Sequence, residues 1–216
     1  MEEVRTPMLF RLGSRLSVFR KDADTKQQTG TFENVVIKNV KAKASADAQL
    51  MPPTGILITG IPGHYIIGLT LENIEISLAG GGTVAHGRQV VPEAIDQYPE
   101  VKTFGPRVPA YGIWARHVKG LKLINVKFNL SGNDLRPALV CEDGSDLEVS
   151  NWNLPDTERG ESIIRLENVK TALIKNVTVK GIAKALVRVE GTASANVKVV
   201  GNKLTGISKE LEIIKK

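Results

Sequence analysis

The sequence predicts an all-β chain wound as a right-handed parallel β-helix. Its apolar residues are mostly Val, Ile and Leu in short runs bounded by Gly, Asn and Asp, the composition of strands rather than helices. Two kinds of strand-like phrase alternate along the chain, and their markers share a period of about 25 residues. Almost no helix-forming stretch interrupts them.

One phrase sets apolar residues around an asparagine. It reads ENVVIKNVKAK at 33–43, IGLTLENIEIS at 67–77, KGLKLINVKFN at 119–129 and KTALIKNVTVK at 170–180, with weaker copies at 146–154 and 195–206. The second reads MLFRLG at 8–13, GILITGI at 55–61, YGIWARHV at 111–118, ALVCEDG at 138–144, SIIRLENV at 162–169, ALVRVEG at 185–191 and LEIIKK at 211–216. Anchored on Ile113, Leu139, Ile164, Val187 and Ile213, its steps are 26, 25, 23 and 26 residues. Asn125, Asn151, Asn176 and Asn202 step by 26, 25 and 26. Leucine-rich repeats need a spaced leucine pattern that is absent, and a propeller blade needs roughly 40 residues. One β-helix coil fits.

The recurring asparagines, with Asn39 and Asn73 in the earlier coils, are expected at tight bends, where Asn tolerates the left-handed conformation. Stacking would align their amides into a structural Asn ladder. The period breaks in the N-terminal half: Ile56 follows Phe10 by 46 residues and Ile113 follows Ile56 by 57. Within a single domain spanning 1–216, insertions are therefore placed at about 14–31, 44–54 and 78–110. Loops that rise beside a parallel sheet make a groove.

Alternation turns Ile113, Ala115, Ile164, Leu166, Val187 and Val189 inward. The outer face then carries Leu57, Trp114, Val140, Arg165 and Arg188, beside Arg11, Thr59, Arg116, Glu142, Glu167 and Glu190. Arg11, Tyr111, Trp114 and Arg116 are the candidate substrate-binding residues, since a ring stacks on a sugar face and arginine grips a carboxylate. The plainer alternative puts Trp114 beneath the 78–110 loop and pairs the arginines with nearby carboxylates. The Glu142, Glu167 and Glu190 column is read as an ion-pair ladder rather than an acid–base pair. His64 is read as a turn residue, and His117 as pointing inward or ending its strand.

The balance of 29 Lys and Arg against 23 Asp and Glu gives +6, dispersed along the chain. It carries no aromatic-basic nucleic-acid motif, and no run is long enough to span a bilayer, so neither nucleic acid nor membrane is expected as partner. Cys141 is the single cysteine, which leaves no intrachain disulfide. No cluster of His, Cys or Asp suggests a metal, and no cofactor is expected. The N-terminus shows no signal-peptide pattern, so the compartment is left open.

GILITGIPGHYIIGLTLENIEIS, followed by GGGT, VPE, YPE, FGP, VPAYGIWARHVKGL and RPALV, resembles glycoside hydrolase family 28, its bacterial polygalacturonase-like and rhamnogalacturonase-like members. The likeness covers about residues 4–145 and is strongest from Gly55 to Val140. It implies a pectin-lyase-like solenoid and an inverting, pectin-directed hydrolase, in which one carboxylic acid protonates the glycosidic oxygen while carboxylate activates water. It also implies secretion or a periplasmic location. The family's Asn-x-Asp, Asp-Asp, Gly-His-Gly and Arg-Ile-Lys motifs are all missing here. His86-Gly87 is read as a coincidence far from any suitable strand, and no catalytic residue is assigned. Since those motifs precede the matched region in the family, the chain looks like its C-terminal part, inactive alone, with acidic pectin-type polysaccharide as partner. Further N-terminal coils or another chain would cap an open first coil. A non-catalytic polysaccharide-binding module and a structural β-helix module are the alternatives.

Overall fold

The computed structural model describes residues 1–15, 28–154 and 160–214. The middle of the first insertion, residues 16–27, and the terminal residues 215–216 lie outside them. Strands numbered along the chain fall into two sheets in which every strand-to-strand pairing is parallel. Sheet one takes β1 (Met8–Arg11), β4 (Ile56–Thr59), β7 (Ile113–Lys119), β9 (Leu139–Ser145), β11 (Gly160–Val169), β13 (Thr178–Glu190) and β15 (Lys203–Ile214), in that order. The short β2 (Phe32–Glu33) and β5 (Ile66–Ile67) attach beside them. Sheet two takes β3 (Val36–Lys43), β6 (Thr70–Leu78), β8 (Lys122–Leu130), β10 (Leu147–Ser150), β12 (Ala172–Lys175) and β14 (Val197–Val200), each beside the next. The chain thus alternates between sheets once per repeat, as a β-helix-like fold requires. The two families of phrase are the two sheets.

Register follows the apolar pattern. Ile56, Ile113, Leu139, Ile164 and Val187 are successive partners, all fully buried. Each stabilises the core by about 1.5–3 kcal/mol relative to exposure. Two anchors need correction. Met8, not Phe10, is paired with Ile56, and Leu211, not Ile213, is paired with Val187. Ile213 lies opposite Val189, so the last step is 24 residues. In the first coil Leu12 is buried, and the half-buried Phe10 packs edge-on against Phe32, with centroids 6.2 Å apart.

Asn39, Asn73, Asn125, Asn151 and Asn176 all have φ between 51° and 59°. Asn125 Nδ2 donates to Asn73 Oδ1 at 2.8 Å, Asn73 Nδ2 to Asn39 Oδ1 at 3.1 Å, and Asn176 Nδ2 to Asn151 Oδ1 at 3.2 Å. The ladder is present in two segments, Asn39–Asn73–Asn125 and Asn151–Asn176, and Asn202 is not the next rung. Gly201, at φ 68°, occupies that corner, and a side chain there would meet Asn176 Oδ1 at 2.8 Å. Asn202 instead accepts a hydrogen bond from the Val177 amide at 2.8 Å.

The 79–112 loop folds over the outer face of sheet one instead of standing clear of it. Val91, Val101, Phe104, Val108 and Ala110 form a second apolar cluster there with Leu50, Leu57, Trp114 and Val140. Arg136 and Asp134, both wholly buried, tie this cover down. Arg136 donates to Asp134 Oδ2 at 2.8 Å and to the carbonyls of Pro52, Pro53 and Val108 at 3.3, 2.7 and 3.2 Å. The Gly82 amide donates to Asp134 Oδ2 at 3.0 Å. One ion pair therefore joins the second and third insertions to the turn before β9.

Candidate functional site

Beyond the covered part of sheet one, its outer face opens into a cleft of about 400 Å³. Strands β7, β9, β11 and β13 supply the floor, and residues 88–93 of the loop form a wall. The floor's outward column is Arg116, Glu142, Glu167 and Glu190, successive partners in register.

One residue further on, each strand turns a corner. His117, Asp143, Asn168 and Gly191 have φ of 52°, 51°, 55° and 85°. A left-handed residue breaks strict alternation, so His117 lines the cleft rather than pointing inward or merely closing its strand. His117 Nδ1 stands 2.6 Å from Asp143 Oδ2, and Nε2 stands 2.9 Å from Glu93 Oε2 on the loop wall. The Tyr65 hydroxyl donates to the same Asp143 oxygen at 2.7 Å, and its ring meets the imidazole edge-on at 5.9 Å. Burial alone would raise the Asp143 carboxyl, but hydrogen bonds from Tyr65 and His117 outweigh it and hold it below the usual range. The same hydrogen bond to Asp143, then burial, pushes the Tyr65 phenol up to about 12.

The arginines of the cleft differ in their partners. Arg116 Nε donates to Glu142 Oε2 at 2.7 Å, and its Nη1 donates to the Val91 carbonyl at 2.9 Å and lies 3.3 Å from Glu93. Arg88 holds Glu190 through Nη1 at 2.9 Å and Glu161 through Nη2. Arg188 reaches Glu190 at 2.5 Å and Glu212 at 3.3 Å. These hydrogen bonds, set against burial, leave the Glu190 carboxyl below its ordinary value. Arg165 is different. It donates to the Gly87 carbonyl, its Nε is buried without a hydrogen-bond partner, and no carboxylate lies within ion-pair range of it among the described residues. Burial first, then the Arg88 charge, lowers its pKa from the usual value. Glu167, two residues along the strand, likewise has no ion pair among the described residues and lines the same cleft.

The sequence-predicted site is only partly assembled. Arg116 lies in the cleft. Trp114 does not offer a stacking face: it is fully buried, with Phe104 edge-on at 5.2 Å and the Arg116 guanidinium carbon 4.8 Å from its ring centroid. Tyr111 is also fully buried, packing edge-on against Phe128 at 5.8 Å in the main core. Arg11 donates to the Ala94 carbonyl and lies 4.7 Å over the Phe104 ring, under the loop. The plainer alternative is therefore observed for Trp114 and Arg116, whereas Arg11 meets a carbonyl and a ring instead of a carboxylate. His64 sits exposed in a turn closed by hydrogen bonds with Ile61. His86-Gly87 is not remote from sheet one, because the Gly87 carbonyl accepts from Arg165 of β11.

Tyr65, Arg88, Glu93 and Asp143 were not singled out from sequence. A usable signal existed: His117, Asp143, Asn168 and Gly191 step by 26, 25 and 23, the strand period, and three of the four are types that favour left-handed corners. Glu93 and Arg88 carry no such marker, being brought in by the loop. Among the described residues no group of three or more His, Cys, Asp or Glu is placed to hold a metal ion, and no helix is long and apolar enough to cross a membrane. No family model, curated protein or solved structure matches the chain, so the likeness to family 28 rests on its sequence phrases alone.

Proposed function

We propose that the chain is a right-handed, pectin-lyase-like β-helix that binds uronate-bearing polysaccharide in the cleft on sheet one. In this reading it is the C-terminal β-helix portion of a family 28-like glycoside hydrolase and does not hydrolyse the glycan alone. The phrases from Gly55 to Val140 support the family, and the missing aspartate motifs support inactivity.

The observation that carries the binding reading is Arg165: a guanidinium at the cleft with no carboxylate in ion-pair range among the described residues. A uronate carboxylate matches such a group by a charge-assisted hydrogen bond. Glu167 and Asn168 follow it on the same strand and line the same cleft, where they suit neighbouring sugar hydroxyls as acceptor and as donor. With Trp114 covered, affinity comes from polar contacts instead of stacking.

Calorimetric titration with oligogalacturonate and with its methyl ester tests this. Binding of the acid, weakened roughly tenfold or more by esterification, is the expected outcome. Equal binding of both, or of neither, overturns the uronate reading. Release of reducing ends by the purified chain would overturn the claim that it is inactive alone.

A further inference from the structure

We propose that His117 is a pH-sensitive latch that holds the loop wall against the sheet when protonated and releases it when neutral. The proposal concerns the wall itself and does not depend on which ligand the cleft takes.

The two ring nitrogens face two carboxylates from different parts of the chain. Nδ1 is 2.6 Å from Asp143 on β9, and Nε2 is 2.9 Å from Glu93 on the loop. A carboxylate only accepts, so both contacts are hydrogen bonds only if both nitrogens carry protons, the state of the imidazolium. Neutral imidazole has one proton and must abandon one partner. The surroundings decide which.

Asp143 is the better-held partner, because the Tyr65 hydroxyl donates to the same oxygen at 2.7 Å and fixes it in place. Glu93 is exposed, and its other support is Arg116 at 3.3 Å. The remaining proton therefore stays on Nδ1. The Nε2 lone pair then faces a Glu93 oxygen lone pair at 2.9 Å, a repulsive contact that swings the loop carboxylate away. The other charges near the ring are Arg116 and Lys119 on β7, Glu142 on β9, and Lys170, whose charge acts on Asp143. Arg116 is already bonded to Glu142, and Lys119 lies 4.2 Å over the Tyr65 ring, so neither replaces the lost contact.

The released segment is short. Val91 and Phe104 are buried in the apolar cluster on sheet one, so the loop stays anchored on either side of Glu93. Glu93 and its neighbours Val90 and Ile95 are exposed, and this is the stretch that the latch holds. The left-handed corner at His117 is what sets its ring between the two carboxylates, at a φ that a side chain adopts only at a cost.

Amide hydrogen exchange across 89–96, corrected for intrinsic rates, tests the latch, with the His117 titration followed on its own ring resonances. Protection of this segment is expected to fall roughly tenfold as His117 loses its proton, the scale of one charge-assisted hydrogen bond. Residues 101–104 should not change. In Glu93→Gln the step should vanish, because the amide offers an acceptor to the imidazolium and a donor to neutral imidazole. His117→Asn, which suits the left-handed corner, should also lose the step. Unchanged protection across the titration overturns the latch, as does a step that persists in Glu93→Gln.

Discussion

Asp143 concentrates three influences on one carboxylate: burial, the Tyr65 hydroxyl and the His117 ring. The sign of its linkage follows from the lowered pKa. Its contribution to stability is complete above the unfolded-state value and is lost as pH falls through the depressed folded value. Tyr65 works at the other end. With its phenol raised to about 12, its contribution is complete below the ordinary tyrosine value and is lost as pH rises through about 12. Difference titration of tyrosinate absorbance between wild type and Tyr65→Phe should show one phenol ionising near 12. In Asp143→Asn that transition should move down toward the ordinary value. A Tyr65 transition that stays put in Asp143→Asn would separate the two residues. Among single residues the sequence was legible for direction and poor for exposure. Alternation put Trp114 on the outer face of sheet one correctly, but whether an outward residue meets solvent depends on what a distant loop does. The same limit hid Glu93, whose loop position gave no clue that it would meet His117.

At the level of elements, the strands and their corners were written plainly in the chain. A period-2 apolar pattern repeated every coil leaves a single register that keeps the core buried. The corner residues were marked by type wherever Asn filled them. Gly201 broke that marker, because glycine and asparagine satisfy the same corner for different reasons. The insertions carried no period, and the path of the second and third is fixed instead by Arg136, Asp134 and the apolar cluster over Trp114. Removing one half of a wholly buried ion pair strands the other charge, at a cost of about 3–5 kcal/mol. Arg136→Met is therefore expected to lower unfolding stability by about that amount in a denaturant titration. It should also expose Trp114 to a fluorescence quencher under native conditions. A loss below about 1 kcal/mol with Trp114 still shielded would show that the apolar cluster alone holds the cover.

Across the whole molecule, the stacked coils do two jobs. They bury one continuous apolar core between the sheets, and they align outward residues of successive strands at roughly 5 Å intervals, which builds a charged cleft without any local motif. Most of that charge is spent internally: Glu142 on Arg116, and Glu190 on Arg88 and Arg188. The expected ion-pair ladder is thus present along much of the column. Glu167 interrupts it, Arg165 in the neighbouring column likewise has no ion pair among the described residues, and the two are the basis for assigning a ligand to this face. The most direct measurement is the binding of oligogalacturonate to wild type and to Arg165→Gln, with circular dichroism confirming that both are folded. The account predicts that the variant loses roughly tenfold or more in affinity. Equal affinity in a folded Arg165→Gln variant would contradict it.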